Sequence, residues 1–196
     1  MNITDTRTHG LPVIDIGTPQ GIYDGTRAIT TQSYVEANAK NGTQHELSAY
    51  FPSMTNNESI TAIVTTTALP VVIKKRTASY TGDGVILQIF EGTTYSSLGG
   101  EIAQFNLSRI NPVASGVTFN SDPVINDDGE LAFASEYLIG NESNQSQGGT
   151  GIEGSKELIL KPNTTYAFRV TSLSASQNVF IYNSWYEGEL DVAVGM

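Results

Sequence analysis

Cysteine is absent from this sequence. Its absence excludes disulfide staples, thiolate nucleophiles and Cys-ligated zinc. Charge is also scarce: Asp, Glu, Lys and Arg make up 15% of the 196 residues. A disordered chain would be rich in charge and poor in aromatics. This one carries nine Tyr, seven Phe and one Trp, which argues for a folded core. Positive charge is scarcer still. Ten Lys and Arg stand against twenty Asp and Glu, a net charge of −10. Such a surface repels phosphate backbones, so no direct contact with nucleic acid is expected. The longest cationic run, Lys74-Lys75-Arg76, reads as a solvated strand end. No apolar run approaches the ~20 residues of a membrane helix. The start, Met1-Asn2-Ile3-Thr4-Asp5, lacks the basic and apolar segments of a signal peptide. A soluble protein made in the cytosol, with no membrane partner, is the expectation.

The scarce charge is replaced by Ser, Thr, Asn and Gly. Their short polar side chains compete with helical backbone bonding and favour strands and turns. Residues 1–28 are punctuated by Gly10, Pro12, Gly17, Pro19, Gly21 and Gly25, which blocks a long regular element. The segment reads as an extended N-terminal arm. Its apolar residues Leu11, Val13, Ile14 and Ile16 then need a surface outside the arm itself. Residues 29–191 read as one β-sandwich domain, and 192–196 as a tail. Ile29–Ala37 and Thr43–Phe51 read as strands of a hairpin turned at Asn41-Gly42, with Pro52 ending the second. Residues 59–67, 71–80 and 85–90 read as an antiparallel meander, with a turn at Thr81-Gly82-Asp83-Gly84. Residues 92–100 read as a loop, and Glu101–Ile110 as a short strand or one helical turn. Residues 111–154 read as a long polar loop region, low in complexity over Asn141–Gly149. Lys156–Leu160, Thr165–Ser172 and Asn178–Glu187 read as strands, with a turn at Lys161–Thr164. In the last strand Val179, Ile181 and Trp185 share one face, and Phe180, Tyr182 and Tyr186 the other. A strand apolar on both faces must be covered on both. The sum is an all-β, jelly-roll-like sandwich.

Catalytic constellations are hard to find. The two histidines, His9 and His45, have no G-x-S-x-G context that would pair either with a serine. Glu187, Glu189 and Asp191 offer carboxylates for glycoside cleavage, but alternation puts all three on one face of a chain end, most simply a solvated rim. Asn126-Asp127-Asp128-Gly129-Glu130 resembles part of a calcium loop, without the spacing or the distant bidentate Glu of an EF-hand. A structural cation beside Asp127 and Asp128 stays open. No cofactor, no catalytic residue and no enzyme activity are expected.

One pattern is more specific. The stretch Lys156-Glu157-Leu158-Ile159-Leu160-Lys161-Pro162-Asn163-Thr164-Thr165-Tyr166, then Phe168-Arg169-Val170-Thr171 and Trp185-Tyr186-Glu187, resembles a hairpin and terminal strand of small virion structural proteins of tailed bacteriophages. Ile29–Asn38 and Ile89–Ser96 resemble the same group. Together these segments span most of the chain after residue 28. Ser172 stands where the pattern carries Asn, at a turn. The resemblance implies a capsid decoration, or cement, protein on the outer head surface. Its partners would be the major capsid protein and two further copies in a homotrimer. The interface residues expected on this reading are Leu11, Val13, Ile14, Ile16, Phe180, Tyr182 and Tyr186. The alternative is a tail, neck or fibre-associated module that binds host glycans.

Overall fold

The computed structural model describes residues 34–140 and 157–188. The expected arm at 1–28, the tract at 141–149 and the tail at 192–196 lie outside these residues, as do Leu11, Val13, Ile14 and Ile16. The chain divides into two compact units, Met1–Ala37 and Asn38–Met196.

The first described element is a helix, α1 (Tyr34–Asn41), where a strand was expected. Glu36, Ala37, Ala39 and Lys40 are good helix formers, and that local preference wins over the weak alternation of 29–37. Asn41-Gly42 does not turn a hairpin; it ends the helix. The Gly42 amide donates to the Ala39 carbonyl (3.2 Å) and the Thr43 amide to the Asn38 carbonyl (2.9 Å). With Gly42 at φ 76°, this is a Schellman cap.

Fourteen strands follow among the described residues. Four long ones come first: β1 (Gln44–Met54), β2 (Ser59–Thr65), β3 (Val71–Tyr80) and β4 (Gly84–Glu91). Seven short ones come next: β5 (Thr94–Ser97), β6 (Gly100–Glu101), β7 (Phe105–Asn106), β8 (Thr118–Ser121), β9 (Val124–Asp127), β10 (Glu130–Leu131) and β11 (Glu136–Ile139). β12 (Leu158–Leu160), β13 (Thr165–Ser172) and β14 (Gln177–Glu187) close the series. The region 111–140, expected as loop, therefore holds four short strands. Each is too short for alternation to reveal it. Pro52 does not end β1; the strand passes through a bulge between Phe51 and Met54, with Ser53 at φ 54°. A bulge is where a strand tolerates a missing backbone donor, and proline has none.

One sheet has the order β12-β3-β14-β1-β7. The other has the order β10-β4-β13-β2-β8-β6, with β11 also paired to β4. β5 and β9 form a separate ribbon. Successive long strands alternate between the two main sheets, so β2, β3 and β4 are not a meander. β2 and β4 both flank β13, and β3 lies in the opposite sheet. The turn at 81–84 reverses the chain, but it carries the chain across the sandwich. The pairs β1–β14, β2–β13, β3–β12 and β4–β11 show the underlying plan. One long antiparallel ribbon is rolled up into two sheets, which is the jelly roll.

The inner faces make the core. Leu47, Val71, Ile73, Leu160 and Trp185 come from the first sheet and meet Val64, Ile89, Phe119 and Tyr166 of the second. A second cluster joins Met54, Ala78, Tyr80, Val179 and Ile181 to Val85 and Leu87. Phe119, in the expected loop region, is a central core residue. Its ring lies 4.9 Å from that of Trp185 and edge-on to Phe168. Large aromatics bury 150–250 Å² each, worth about 4–6 kcal/mol gross at ~25 cal/mol per Å².

Candidate functional site

The outer face of the first sheet is set by register. Inward-pointing Val179, Ile181 and Trp185 of β14 leave Phe180, Tyr182 and Tyr186 pointing out, as the alternation predicted. Tyr50 lies directly across from Phe180, Ser48 from Tyr182 and Gln44 from Tyr186. On the far side of β1, Phe105 of β7 stands opposite Glu46. Three aromatics of this face are open to solvent: Tyr50 is 60% exposed, Phe105 55% and Phe180 40%. Tyr182 and Tyr186 are half-buried. Lys74 and Lys75 lie towards the Tyr186 end of this face. Its one central acid, Glu46, accepts a hydrogen bond of 2.7 Å from the Tyr182 hydroxyl. Burial, and then that carboxylate, push the Tyr182 phenol up to about 12, so it stays a neutral donor. The Lys74 ammonium lies 5.8 Å from the centre of the Tyr186 ring.

Arg76 contradicts the reading of Lys74-Lys75-Arg76 as a solvated strand end. Between the pairs Lys75–Ser184 and Ile73–Trp185 the register skips Lys74, a one-residue bulge in β3. Arg76 points into the sandwich and is buried, and its guanidinium meets the Glu136 carboxylate of β11 at 2.7 Å. Lys74 pairs with Glu157. Burial lowers the Arg76 pKa, and Glu136 opposes the shift. Arg76 and its register partner Asn183 line a cavity of about 50 Å³ between the sheets, otherwise walled mainly by Leu47, Leu87, Phe119 and Phe168. That volume suits a few water molecules at ~10–15 Å³ each.

The other polar candidates hold the structure together. Glu187 accepts from the Ser115 hydroxyl (2.6 Å) and the Gly116 amide (2.9 Å), which ties the loop before β8 to the end of β14. A side chain at position 116 would meet that carboxylate, since its Cβ would lie 2.9 Å from Glu187 Oε2. His45 is buried and stacks on Trp185, with ring centres 5.7 Å apart. Burial lowers its pKa, and the Glu187 charge opposes the shift in part. The serine thus bonds the carboxylate directly, and the imidazole lies against an indole. Glu189, Asp191 and His9 lie outside the described residues. Asp128 forms two hydrogen bonds to Arg169, which hold its carboxyl below the usual range. Asp127 accepts from the Gly129 amide (3.0 Å), closing its own turn. Among the described residues no group of three or more acids and histidines is placed to hold a metal ion. No helix among them is long and apolar enough to cross a membrane.

The segment from Leu158 to Ser172, expected as a hairpin, is an arch between sheets. Leu158–Leu160 pairs with β3, and Thr165–Ser172 with β2 and β4. Asn163 takes φ 50°, and its amide donates to the Thr67 carbonyl at 2.7 Å. The Tyr166 hydroxyl accepts from the Lys161 amide (2.8 Å) and contacts Glu91 (3.2 Å). The sequence here therefore encodes a crossing. No protein family, curated protein or solved structure matches the chain.

Proposed function

We propose that this chain is a structural protein of the phage virion, a decoration or cement protein that binds the outer head surface as a homotrimer. It stabilises the shell through contacts with the major capsid protein. The observation that carries this reading is the exposed aromatic face of the first sheet, built around Tyr50, Phe105, Phe180 and Tyr182. Exposed aromatics on a rigid sheet are what interface anchors are made of, because their two side-chain torsions lose little freedom on binding. The net charge of −10 keeps the remaining surface solvated. The resemblance at 156–171 and 185–187 supports the same reading. Those residues build the arch and the last strand that set the face. A standard interface of ~1,600 Å² gives a large gross gain before association costs, and many copies repeat it around a shell.

The test uses purified heads stripped of surface proteins. The chain should sediment with them and form density on the outer surface in cryo-images. Tyr50→Asp with Phe180→Asp should abolish sedimentation while the far-ultraviolet circular dichroism stays unchanged. A chain that never binds heads refutes the reading. The Tyr50–Phe180 pair also fits a flat platform for sugar rings, the tail or fibre alternative. Labelled chain that adheres to host cells, and not to heads, decides for that alternative.

A further inference from the structure

We infer that copies of this chain join head to tail, the loop at residues 107–113 of one copy seating on Tyr137 and Ile139 of the next. This rests on the homotrimer reading above and assigns it two surfaces.

The loop is fixed in place. The Asn106 side-chain amide donates to the carbonyls of Gly42 (2.6 Å) and Val113 (2.8 Å). Its carbonyl oxygen accepts from the Ser108 amide at 2.7 Å. Backbone bonds run from Leu107 to Gln44 (3.0 Å) and from Val113 to Gly42 (3.1 Å). At the tip of this braced loop Ile110 is 98% exposed. A fixed, bare isoleucine loses little freedom when a partner covers it. Beside it stands Arg109, also exposed. Among the described residues the other lysines and arginines all have a partner. Arg109 has none.

The receiving surface is the edge of the second sheet. β11 pairs with β4 on one side and with no strand on its other side among the described residues. Tyr137 is 65% exposed and Ile139 79%. Register places them across from Ile86 and Gly84, on the outward side of the sheet. Asp83 is exposed next to them, its carbonyl accepting from the Gly140 amide. One surface thus offers isoleucine with an unpaired cation, and the other isoleucine and tyrosine with an acid. Two copies at −10 repel unless charge is matched where they touch.

The placement decides the symmetry. β7 lies beyond β1 at one edge of the sandwich. β11 lies beyond β4 at the opposite edge, on the far side of β13 and β2. Complementary surfaces at opposite edges make a heterologous contact, which closes into a ring when the rotation between copies permits.

The test uses the full chain in solution without heads, followed by light scattering on a sizing column. The parent chain should run as a closed oligomer. Ile110→Asp and Ile139→Asp should each run as monomers with unchanged far-ultraviolet circular dichroism, because both side chains are largely exposed. Mixing the two variants should give a one-to-one pair and nothing larger, since each keeps one intact surface. Arg109→Asp should weaken assembly about tenfold or more, and Asp83→Arg added to it should restore most of the loss. The inference is overturned by a parent chain that stays monomeric at about 100 μM, where a micromolar contact would be saturated. It is also overturned by an oligomer indifferent to Ile110→Asp, or by a mixture that forms no pair. Head binding is read separately. Rings that ignore heads would sink the decoration reading alone, and monomers that coat heads would sink this inference and the homotrimer while leaving head binding intact.

Discussion

Removing Glu136 should cost far more stability than removing it together with Arg76. Arg76 sits on the inner face of β3 and reaches across the sandwich to Glu136 of β11. With Glu136→Ala, the guanidinium stays buried without its counter-charge. Breaking a buried pair from one side costs about 3–5 kcal/mol. Glu136 keeps 28% of its side chain exposed, which places the loss near the lower end, at roughly 3 kcal/mol. Arg76→Met with Glu136→Leu removes both charges. It also removes the Arg76 Nε, which is buried with no hydrogen-bond partner among the described residues. Met is smaller than Arg and enlarges the neighbouring cavity, at ~24 cal/mol per Å³. Roughly 30 Å³ of added space costs ~0.7 kcal/mol, so the double variant should fall within about 1 kcal/mol of the parent. Urea unfolding with linear extrapolation resolves the difference. At a slope of ~2 kcal/mol per M, the single variant should lose about 1.5 M in midpoint and the double variant under 0.5 M. A single variant that loses no more than a surface substitution, or a double variant as weak as the single, refutes the bridge between sheets.

Acid should weaken the fold through His45. Burial holds its folded pKa below the ordinary 6.5, so the unfolded chain binds more protons between the two values. Stability is full above pH 6.5 and falls as pH drops through that window, by up to about 1.4 kcal/mol per unit. Urea midpoints from pH 7 to 5 should fall for the parent and stay flatter for His45→Gln. Asp128 and Glu91, held low by Arg169 and Lys161, act only at lower pH. Gly42→Ala should destabilise by about 2 kcal/mol or more, since αL alone costs ~1–2 and the new Cβ would lie 1.8 Å from the Asn111 carbonyl. Its thermal melting should show this, and proteolysis should open the 107–113 loop first. Trp185→Ala should cost about 3–5 kcal/mol, and equilibrium unfolding that registers less than 2 would contradict its place against Phe119 and His45.

Long strands were legible and short ones were not. In β14 eleven residues alternate, so Trp185 on one face and Phe180 on the other can both be read from the sequence. β7 has two residues and β10 two, and no periodicity exists at that length. Phe119 lies in a four-residue strand with polar neighbours, so nothing local marks it as core. Asn41-Gly42 demands a positive φ, but a helix cap and a hairpin both satisfy that demand; only the flanking Ala and Lys favour the helix. Turn signals at 81–84 and 161–164 report a reversal of direction. They do not report whether the next strand pairs with the last one or crosses to the other sheet. Tyr50 was accessible to the same alternation that placed Phe180, because it follows Glu46 and Ser48 on the polar side of β1. Arg76 was not, since Lys74 is an extra residue in its own strand, without a register partner in β14, and it switches the alternation between Ile73 and Arg76.

β14 lies between β1 and β3, at the centre of its sheet. Residues 44–54 and 71–80 therefore meet no neighbour in common until residues 177–187 have left the ribosome. Synthesis must pass residue 187 before this half of the sandwich can zip. Until then two long strands wait with unpaired edges, which makes their aromatic and aliphatic sides a hazard for the nascent chain. A frameshift or stop codon shortly before position 177 should yield an aggregating product, however much of the preceding polypeptide is intact.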